Sequence, residues 1–174
     1  MTDTPMTTPP AQGYGTLTSL AQLFSRPING TQVQAIEIPL FQRDYAQGRK
    51  NEQARHVRER FIADLCAALD SDGKSLHLDF VFGDVVNKED GGKQTPTLYP
   101  LDGQQRLTTS ALLIAALAQH FETCAIPELL EAFSAKKLRN YYLLNPDEEG
   151  ERHFKLILSE SDKDTLLAVL QNTP

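Results

Sequence analysis

The stretch from Gln104 to His120 is the feature that most limits how this chain can fold. After Arg106, its apolar residues fall on nearly every side of a helical turn instead of on one face. They are Leu107, Ala111, Leu112, Leu113, Ile114, Ala115, Leu117 and Ala118. A helix without a polar face has to be covered on several sides. The stretch therefore predicts a central, buried helix with the rest of the chain packed around it.

The segments around this helix alternate between patterns typical of strands and of helices. Strands are predicted over residues 32–39, 78–86, 97–101 and 154–158, with a loop over 88–95. Helices are predicted over 17–24, 52–69 and 165–170, and a further helix begins at Pro127. Gly83 lies inside the second strand, where a glycine often marks a bulge or a close backbone approach. This order of elements predicts an α/β (α+β) fold.

The chain divides by composition into three parts. Residues 1–16 are rich in Thr and Pro and nearly free of large apolar side chains, which predicts a disordered tail. Residues 17–125 form the predicted main domain. Residues 126–174 are predicted to begin a following helical region that is truncated, because the last helix has only about two turns and no evident partner.

The bulk charge limits the class of partner. Lys and Arg number 17 and Asp and Glu number 23, so the formal net charge is −6. A chain this acidic is not a general polyanion binder, and any contact with nucleic acid needs a local basic patch or another domain. Arg49, Lys50, Arg55, Arg58 and Arg60 form one such run, which is either a solvated helix face or a phosphate contact.

Cysteine usage and hydropathy bear on the compartment. Cys66 and Cys124 lie in apolar helical surroundings and are expected to be buried free thiols. Their spacing fits no structural zinc site. No leader peptide opens the chain and no apolar run approaches the length of a membrane span, so we expect a cytoplasmic protein with no membrane contact.

Two polar clusters stand out against their apolar flanks. One is Gln42 and Arg43, after the first strand, with Tyr45 just beyond; the other runs from Asp102 to Arg106, between a strand and the central helix. Ligands gather on α/β sheets where strands hand over to loops and helices. We therefore expect both clusters to lie at one end of one sheet and to form one site.

The second cluster has residue types suited to a phosphate. Gly103 permits a tight turn and a close approach of ligand to backbone, and the helix that follows offers unpaired N–H groups to an anion. Arg106 can form a bidentate contact with phosphate. Asp102 can hold a divalent cation that bridges phosphate oxygens. The alternative is structural: Asp102 caps the helix, Gly103 shapes the turn and Arg106 solvates the first turn, and the residues alone leave both interpretations open.

Further polar side chains around this turn extend the candidate site. Gln104 and Gln105 can hydrogen-bond a phosphate, ribose or base, and Thr108 and Thr109 add hydroxyls one turn deeper. Tyr45 can stack on a base or pack as an ordinary half-buried aromatic residue. Asp84 is a second metal ligand only if Gly83 bends its strand toward the site, and otherwise it pairs locally.

The order of these motifs resembles a known family. The stretch from Ile38 to Tyr45, Gly83 within a strand, and the run DGQQRLTT from Asp102 to Thr109 look like the N-terminal domain of GmrSD-type restriction endonucleases. The likeness covers about residues 17–170. In this sequence Asp44 stands where relatives often have Pro, and Ala46-Gln47 where many have an aromatic residue, so the loop has its own shape.

The resemblance implies a ParB/sulfiredoxin-like fold with a small mixed sheet, and binding and hydrolysis of a nucleoside triphosphate with Mg²⁺. It implies Asp102, Gln105 and Arg106 as catalytic residues, with Asp102 also on the metal. Nucleotide contacts are assigned to Gln42, Arg43, Tyr45, Gly103, Gln104, Thr108 and Thr109.

The resemblance also implies partners. These are DNA, contacted by the full-length protein, and a nuclease as a C-terminal or separate domain; the sequence leaves a homo-oligomer open. The leading hypothesis is a nucleoside triphosphatase that regulates a modification-dependent, type IV-like DNA nuclease. The alternatives are a DNA-modification sensor without turnover and a ParB-like nucleotide-dependent DNA-binding module.

Overall fold

A computed structural model of the chain describes residues 20–23, 30–71, 81–124 and 134–171. The predicted tail over residues 1–16 lies outside these ranges, as does the start of the predicted helix at Pro127.

Four strands form one mixed sheet in the order β2-β3-β1-β4. They are β1 (Ala35–Glu37), β2 (Phe82–Asp90), β3 (Lys93–Asp102) and β4 (Leu156–Ile157). β1 runs parallel to both β3 and β4, whereas β2 is antiparallel to β3. The predicted α/β class with a small mixed sheet is confirmed.

Helices of unequal length flank the sheet. They are α1 (Leu20–Leu23), α2 (Glu52–Asp70), α3 (Gln104–Thr123), α4 (Ala135–Leu138) and α5 (Glu160–Gln171). A π-helical turn, Arg139–Leu143, continues α4, and a 3-10 turn, Gly150–His153, precedes β4. The long helices α2 and α3 begin where their sequence patterns predicted.

The hairpin between β2 and β3 is tighter than predicted. The expected loop over residues 88–95 is wrong, because pairing continues to Asp90 and Lys93 and leaves Gly91 and Gly92 as the turn. Their φ values are 58° and 80°. A two-residue hairpin turn with both residues at positive φ matches the right-handed twist of its strands, and glycine adopts that conformation without strain.

The core fills the space between α3 and one face of the sheet. Ile36 lies in register with Leu98 on β3 and with Leu156 on β4, and all three are buried. Leu107 and Ala111 of α3 belong to the same buried cluster. The prediction of a central helix is confirmed, since side chains along most of the length of α3 are buried.

Residues on both sides of the division predicted at 125 and 126 contribute to this one core. Leu143, Phe154 and Leu170 pack in the cluster that also contains Leu107, and β4 pairs with β1. The division itself falls within residues 125–133, outside the described ranges.

Of the helices in the described ranges, none has both the length and the hydrophobicity to cross a bilayer.

Candidate functional site

The loop after β1, residues 42–47, lies against the first turn of α3. Gln104 Nε2 donates to the carbonyl of Arg43 at 3.0 Å, and Gln105 Nε2 donates to the carbonyl of Asp44 at 3.1 Å. The backbone N–H of Ala46 donates to Gln105 Oε1 at 2.9 Å. The prediction that the two polar clusters meet is therefore confirmed, and the glutamine amides are what join them.

Hydroxyl groups hold the same loop one helical turn deeper. The Thr109 hydroxyl lies 2.8 Å from the Tyr45 hydroxyl and 2.5 Å from Gln47 Oε1. A Cβ built on Gly48 would lie 3.2 Å from the Tyr45 ring, so the ring packs closely against this glycine. Tyr45 thus anchors the loop through both its ring and its hydroxyl.

Asp162, in the first turn of α5, also holds the loop. Its Oδ2 accepts a hydrogen bond from the backbone N–H of Tyr45 at 2.5 Å, across 117 residues of sequence. Sequence reasoning missed this residue. An acidic side chain near a helix start is common, because it complements the helix dipole, and nothing local distinguishes one that bonds to a distant loop.

β3 ends beside this loop, where the chain turns into α3. Gln42 Nε2 donates to the carbonyl of Leu101 at 2.8 Å. Asp102 Oδ1 accepts from the N–H of Gly103 at 2.6 Å, and its Oδ2 lies 3.7 Å from Arg106 Nη2. Gly103 has a φ of 92°, a left-handed conformation that L side chains rarely adopt.

The first turn of α3 has no side-chain cap, since Gly103 occupies the N-cap position. The predicted alternative in which Asp102 caps the helix is therefore wrong: Asp102 bonds to the turn that precedes it. The first-turn N–H groups of a helix have no intrahelical acceptor and carry positive potential. The start of this 20-residue helix therefore offers positive potential that no capping side chain offsets.

Charged side chains border this helix start. Arg43 is exposed and, within the described ranges, its guanidinium has neither a hydrogen bond nor an ion pair. The side chain of Asp102 is 80% exposed and that of Arg106 is 32% exposed. Both arginines and the carboxylate are therefore accessible from solvent at one end of the sheet.

Thr108 is buried, as Gln104 is, and its hydroxyl bonds within its own helix. It donates to the Gln104 carbonyl at 2.9 Å. The structure places it inside α3's packing surface, whereas Thr109 points toward the loop.

Gly83 shows both features predicted for a glycine inside a strand. The pairing register shifts between Phe82 and Gly83, and a Cβ on Gly83 would lie 2.4 Å from the Tyr99 carbonyl oxygen. Asp84 is paired opposite Tyr99. Since neighbouring Val85 packs against the core, Asp84 lies on the other face of the sheet from α3 and does not join Asp102.

The basic run divides between two roles. Arg58 Nη1 donates to the carbonyls of Gln47 and Arg49 and so holds the far end of the loop. Arg55 and Arg60 instead form ion pairs with acidic residues one turn along α2. The interpretation as a solvated helix face thus holds for Arg55 and Arg60.

A separate cleft of about 60 Å³ lies on the sheet face away from α3. Its charged lining residues are Glu37, Lys88, Glu148, Glu151 and Arg152. Each belongs to an ion pair, of which Lys88 with Glu37 is one. The hydrogen bond to Glu37 raises the pKa of the Lys88 ammonium, and burial raises the pKa of the nearby Tyr99 hydroxyl. Because each charged residue that lines it already has an ion-pair partner, this cleft is less suited to binding an anion than the start of α3.

Metal-binding groups are sparse in the described part of the chain, which contains no cluster of three His, Cys, Asp or Glu residues. Asp102 supplies an exposed carboxylate beside the uncapped start of α3. Mg²⁺ commonly binds through one or two carboxylates, waters and the phosphates of its nucleotide. The donor set here fits a metal that arrives with a nucleotide and does not fit a metal held by protein alone.

Comparison with known proteins identifies a family for this chain. No curated protein matches the chain significantly. The family profile described as the GmrSD restriction endonuclease, N-terminal domain, matches residues 20–174. That range contains both polar clusters and Asp162, and it covers most of the sequence. The chain belongs to the GmrSD N-terminal domain family.

Proposed function

We propose that this chain is the nucleoside triphosphate-binding and hydrolysing regulatory domain of a modification-dependent DNA restriction protein that acts in phage defence. Family membership supports the restriction and defence setting. The observation that carries the nucleotide proposal is the uncapped start of α3, bordered by Arg43, Asp102 and Arg106.

The start of α3 receives the phosphates. Gly103 contributes no side chain there, so an oxyanion can approach the first-turn N–H groups directly. Arg106 lies on the first turn itself, and the backbone of Arg43 is fixed against that turn by Gln104. Two guanidinium groups on one phosphate chain neutralise its charge and give directional contacts.

The glutamines act as positioning residues in this proposal. Both amides of Gln104 and Gln105 are engaged with loop carbonyls, so they hold the loop that carries Arg43. Gln42, bonded to the Leu101 carbonyl, fixes the other end of that loop to β3. Their contribution to nucleotide binding is thus exerted through Arg43.

Asp102 holds the Mg²⁺ that accompanies the nucleotide. When bound, the metal would supply positive charge to the phosphate oxygens while water attacks the terminal phosphorus and the P–O bond to the leaving group breaks. Asp102 presents Oδ2 to solvent, while Oδ1 is fixed by the N–H of Gly103. The carboxylate is thereby oriented by its contacts with Gly103 and Arg106, and its side chain is still 80% exposed to an incoming metal.

Phosphate release tests the catalytic part. The full-length protein should release phosphate from a nucleoside triphosphate only in the presence of Mg²⁺, and Asp102→Ala should abolish release. The fold should survive, because the Asp102 side chain is 80% exposed and, in the described part of the chain, contacts only the Gly103 N–H and the Arg106 guanidinium. Turnover by Asp102→Ala equal to that of the wild type would remove this residue from the mechanism.

Equilibrium binding tests the anion site. Arg43→Ala and Arg106→Ala should each weaken triphosphate binding by about 1.5–3 kcal/mol, the scale of hydrogen bonds to charged groups. Arg60→Ala, which removes an exposed arginine from α2, is the matched control and should leave binding unchanged. If Arg43→Ala and Arg106→Ala bound the triphosphate as tightly as Arg60→Ala does, the proposed anion site would be wrong.

The alternative functions make different predictions in the same assays. A DNA-modification sensor without turnover binds saturably and releases no phosphate. A ParB-like module releases phosphate only when DNA is present. Phosphate release from the protein alone, dependent on Asp102, separates the proposed function from both.

A further inference from the structure

Exposed apolar side chains are concentrated at the end of the sheet where α3 begins. Leu40 and Phe41 follow β1, Val81 directly precedes β2, Phe82 is the first residue of β2, and Leu101 is next to last in β3. Their exposed fractions are 79%, 73%, 42%, 68% and 45% in that order. A group of large apolar side chains exposed at one end of a sheet is typical of a binding surface.

The topology places the two phenylalanines at the same edge of the sheet. β3 lies between β1 and β2 in the sheet, parallel to β1 and antiparallel to β2. The end of β1 and the start of β2 therefore lie at the same edge as the end of β3. Phe41 precedes Gln42, which bonds to Leu101, and Phe82 is paired with Asp102.

A local irregularity sets the position of Phe82. The register shift falls between Phe82 and Gly83, and Gly83 approaches the Tyr99 carbonyl more closely than a residue with a Cβ could. A bulge redirects the side chain beside it, and bulges are frequent next to functional sites. The shift leaves Phe82 exposed beside Asp102, while Gly83 is paired with Pro100.

Tyr45, the aromatic residue that the sequence suggested for stacking, is already engaged. Its hydroxyl contacts Thr109 and its ring contacts Gly48. Phe41 and Phe82 carry no polar group and keep most of their surface in solvent.

We propose that Phe41 and Phe82 form the stacking surface for the nucleobase of the bound nucleotide. This inference rests on the proposed function, because the phosphates must lie at the start of α3 for the base to reach these rings. Every base presents a flat π-face, so stacking contributes affinity without selecting one base by hydrogen bonds. The site thus takes nucleoside triphosphates as a class, with purines favoured over pyrimidines by their larger stacking area.

The test compares a nucleoside triphosphate with inorganic tripolyphosphate, which lacks a base. Phe41→Ala and Phe82→Ala should each weaken nucleoside triphosphate binding by roughly 5- to 150-fold, the range that corresponds to loss of one stacked base. Neither change should alter tripolyphosphate binding. Phe41→Trp should retain nucleotide affinity, whereas Phe41→Leu, which keeps apolar bulk but loses the flat ring, should not.

Tyr141→Ala provides the matched control. Tyr141 is 62% exposed, and neighbouring Arg139 bonds to Glu122 near the other end of α3. Tyr141→Ala should change neither the affinity for the nucleoside triphosphate nor that for tripolyphosphate.

Each other outcome overturns the inference. If Phe41→Ala and Phe82→Ala weaken the binding of both ligands equally, the rings act by supporting the loop. If they change the affinity for neither ligand, the apolar edge serves another partner, such as a protein surface. If wild-type protein binds tripolyphosphate as tightly as the nucleotide, the base is not contacted, although the phosphate site stands. If it binds neither ligand, the proposed function fails together with the inference.

Discussion

The long helices α2 and α3 are similar in length and differ in how the rest of the molecule holds them. α2 begins with Asn51, whose Oδ1 accepts from the Ala54 N–H at 2.8 Å. α3 begins with Gly103 and has no side-chain cap. Of the residues in α2, Ala54 alone is buried, whereas α3 buries side chains along most of its length.

This difference shows two ways of stabilising a helix. α2 satisfies its first turn locally and presents ion pairs to solvent along its length. α3 is stabilised by burial, and the side chains of its first turn bond to a loop distant in sequence. A helix that does not depend on a local cap can keep its N-terminus open, and a ligand site at a helix start requires that opening.

The largest expected effect is on the free energy of unfolding, when a leucine in α3 is replaced by alanine and compared with the same replacement in α2. Leu107→Ala in α3 should lower the free energy of unfolding by about 2–5 kcal/mol, because it opens a cavity in the core. Leu69→Ala in α2 should change it by less than about 0.5 kcal/mol, since that side chain is 78% exposed, compared with 7% for Leu107. Urea unfolding measures both. Similar losses would mean that α2 is packed as firmly as α3.

A smaller effect is expected where α3 holds the loop. Gln104→Ala removes the donor to the Arg43 carbonyl from a buried side chain and should cost about 1–3 kcal/mol. Gln119→Ala, at an exposed position of the same helix, is the control and should be nearly neutral.

The loop adds a second readout to this prediction. Limited proteolysis at residues 42–47 should be faster in Gln104→Ala than in Gln119→Ala. Equal cleavage rates would show that the glutamine does not secure the loop.

The smallest effect concerns the start of α2. Asn51→Ala removes the cap and should destabilise the helix by about 1 kcal/mol. Because α2 is little buried, the change should appear as about fivefold faster hydrogen exchange in α2, with α3 unchanged. If the amides of α3 exchanged faster to the same degree, the two helices would be unfolding as one unit.

The sequence correctly predicted that both long helices exist, but it predicted less well which of their side chains are buried. The recurrence of Val57, Phe61, Leu65 and Leu69 correctly indicated a helix, but Val57 and Leu69 are exposed. The expectation that Cys66 and Cys124 are buried was wrong: both are free and exposed. Periodicity reports which residues share a face, and burial depends on a neighbouring element that periodicity does not specify.

The candidate site was predictable in its location and less so in its bonding. Strand ends and turn residues correctly placed Gln42-Arg43 beside Asp102–Arg106. The partners of Gln104 and Gln105 were not predictable, because an amide side chain bonds equally well to a ligand or to a carbonyl. Which one it meets depends on the tertiary position of a loop, and no local pattern encodes that position.

The hydrogen bond between Tyr45 and Asp162 has a consequence for the newly made chain. The two residues are 117 positions apart, so the loop leaves the ribosome well before the carboxylate that fixes it. At typical rates of translation this delay is on the order of ten seconds. During that interval β1 also lacks β4, its neighbour at one side. The loop of the nascent protein therefore gains this hydrogen bond only after α5 has been synthesised, later than its bonds to the first turn of α3.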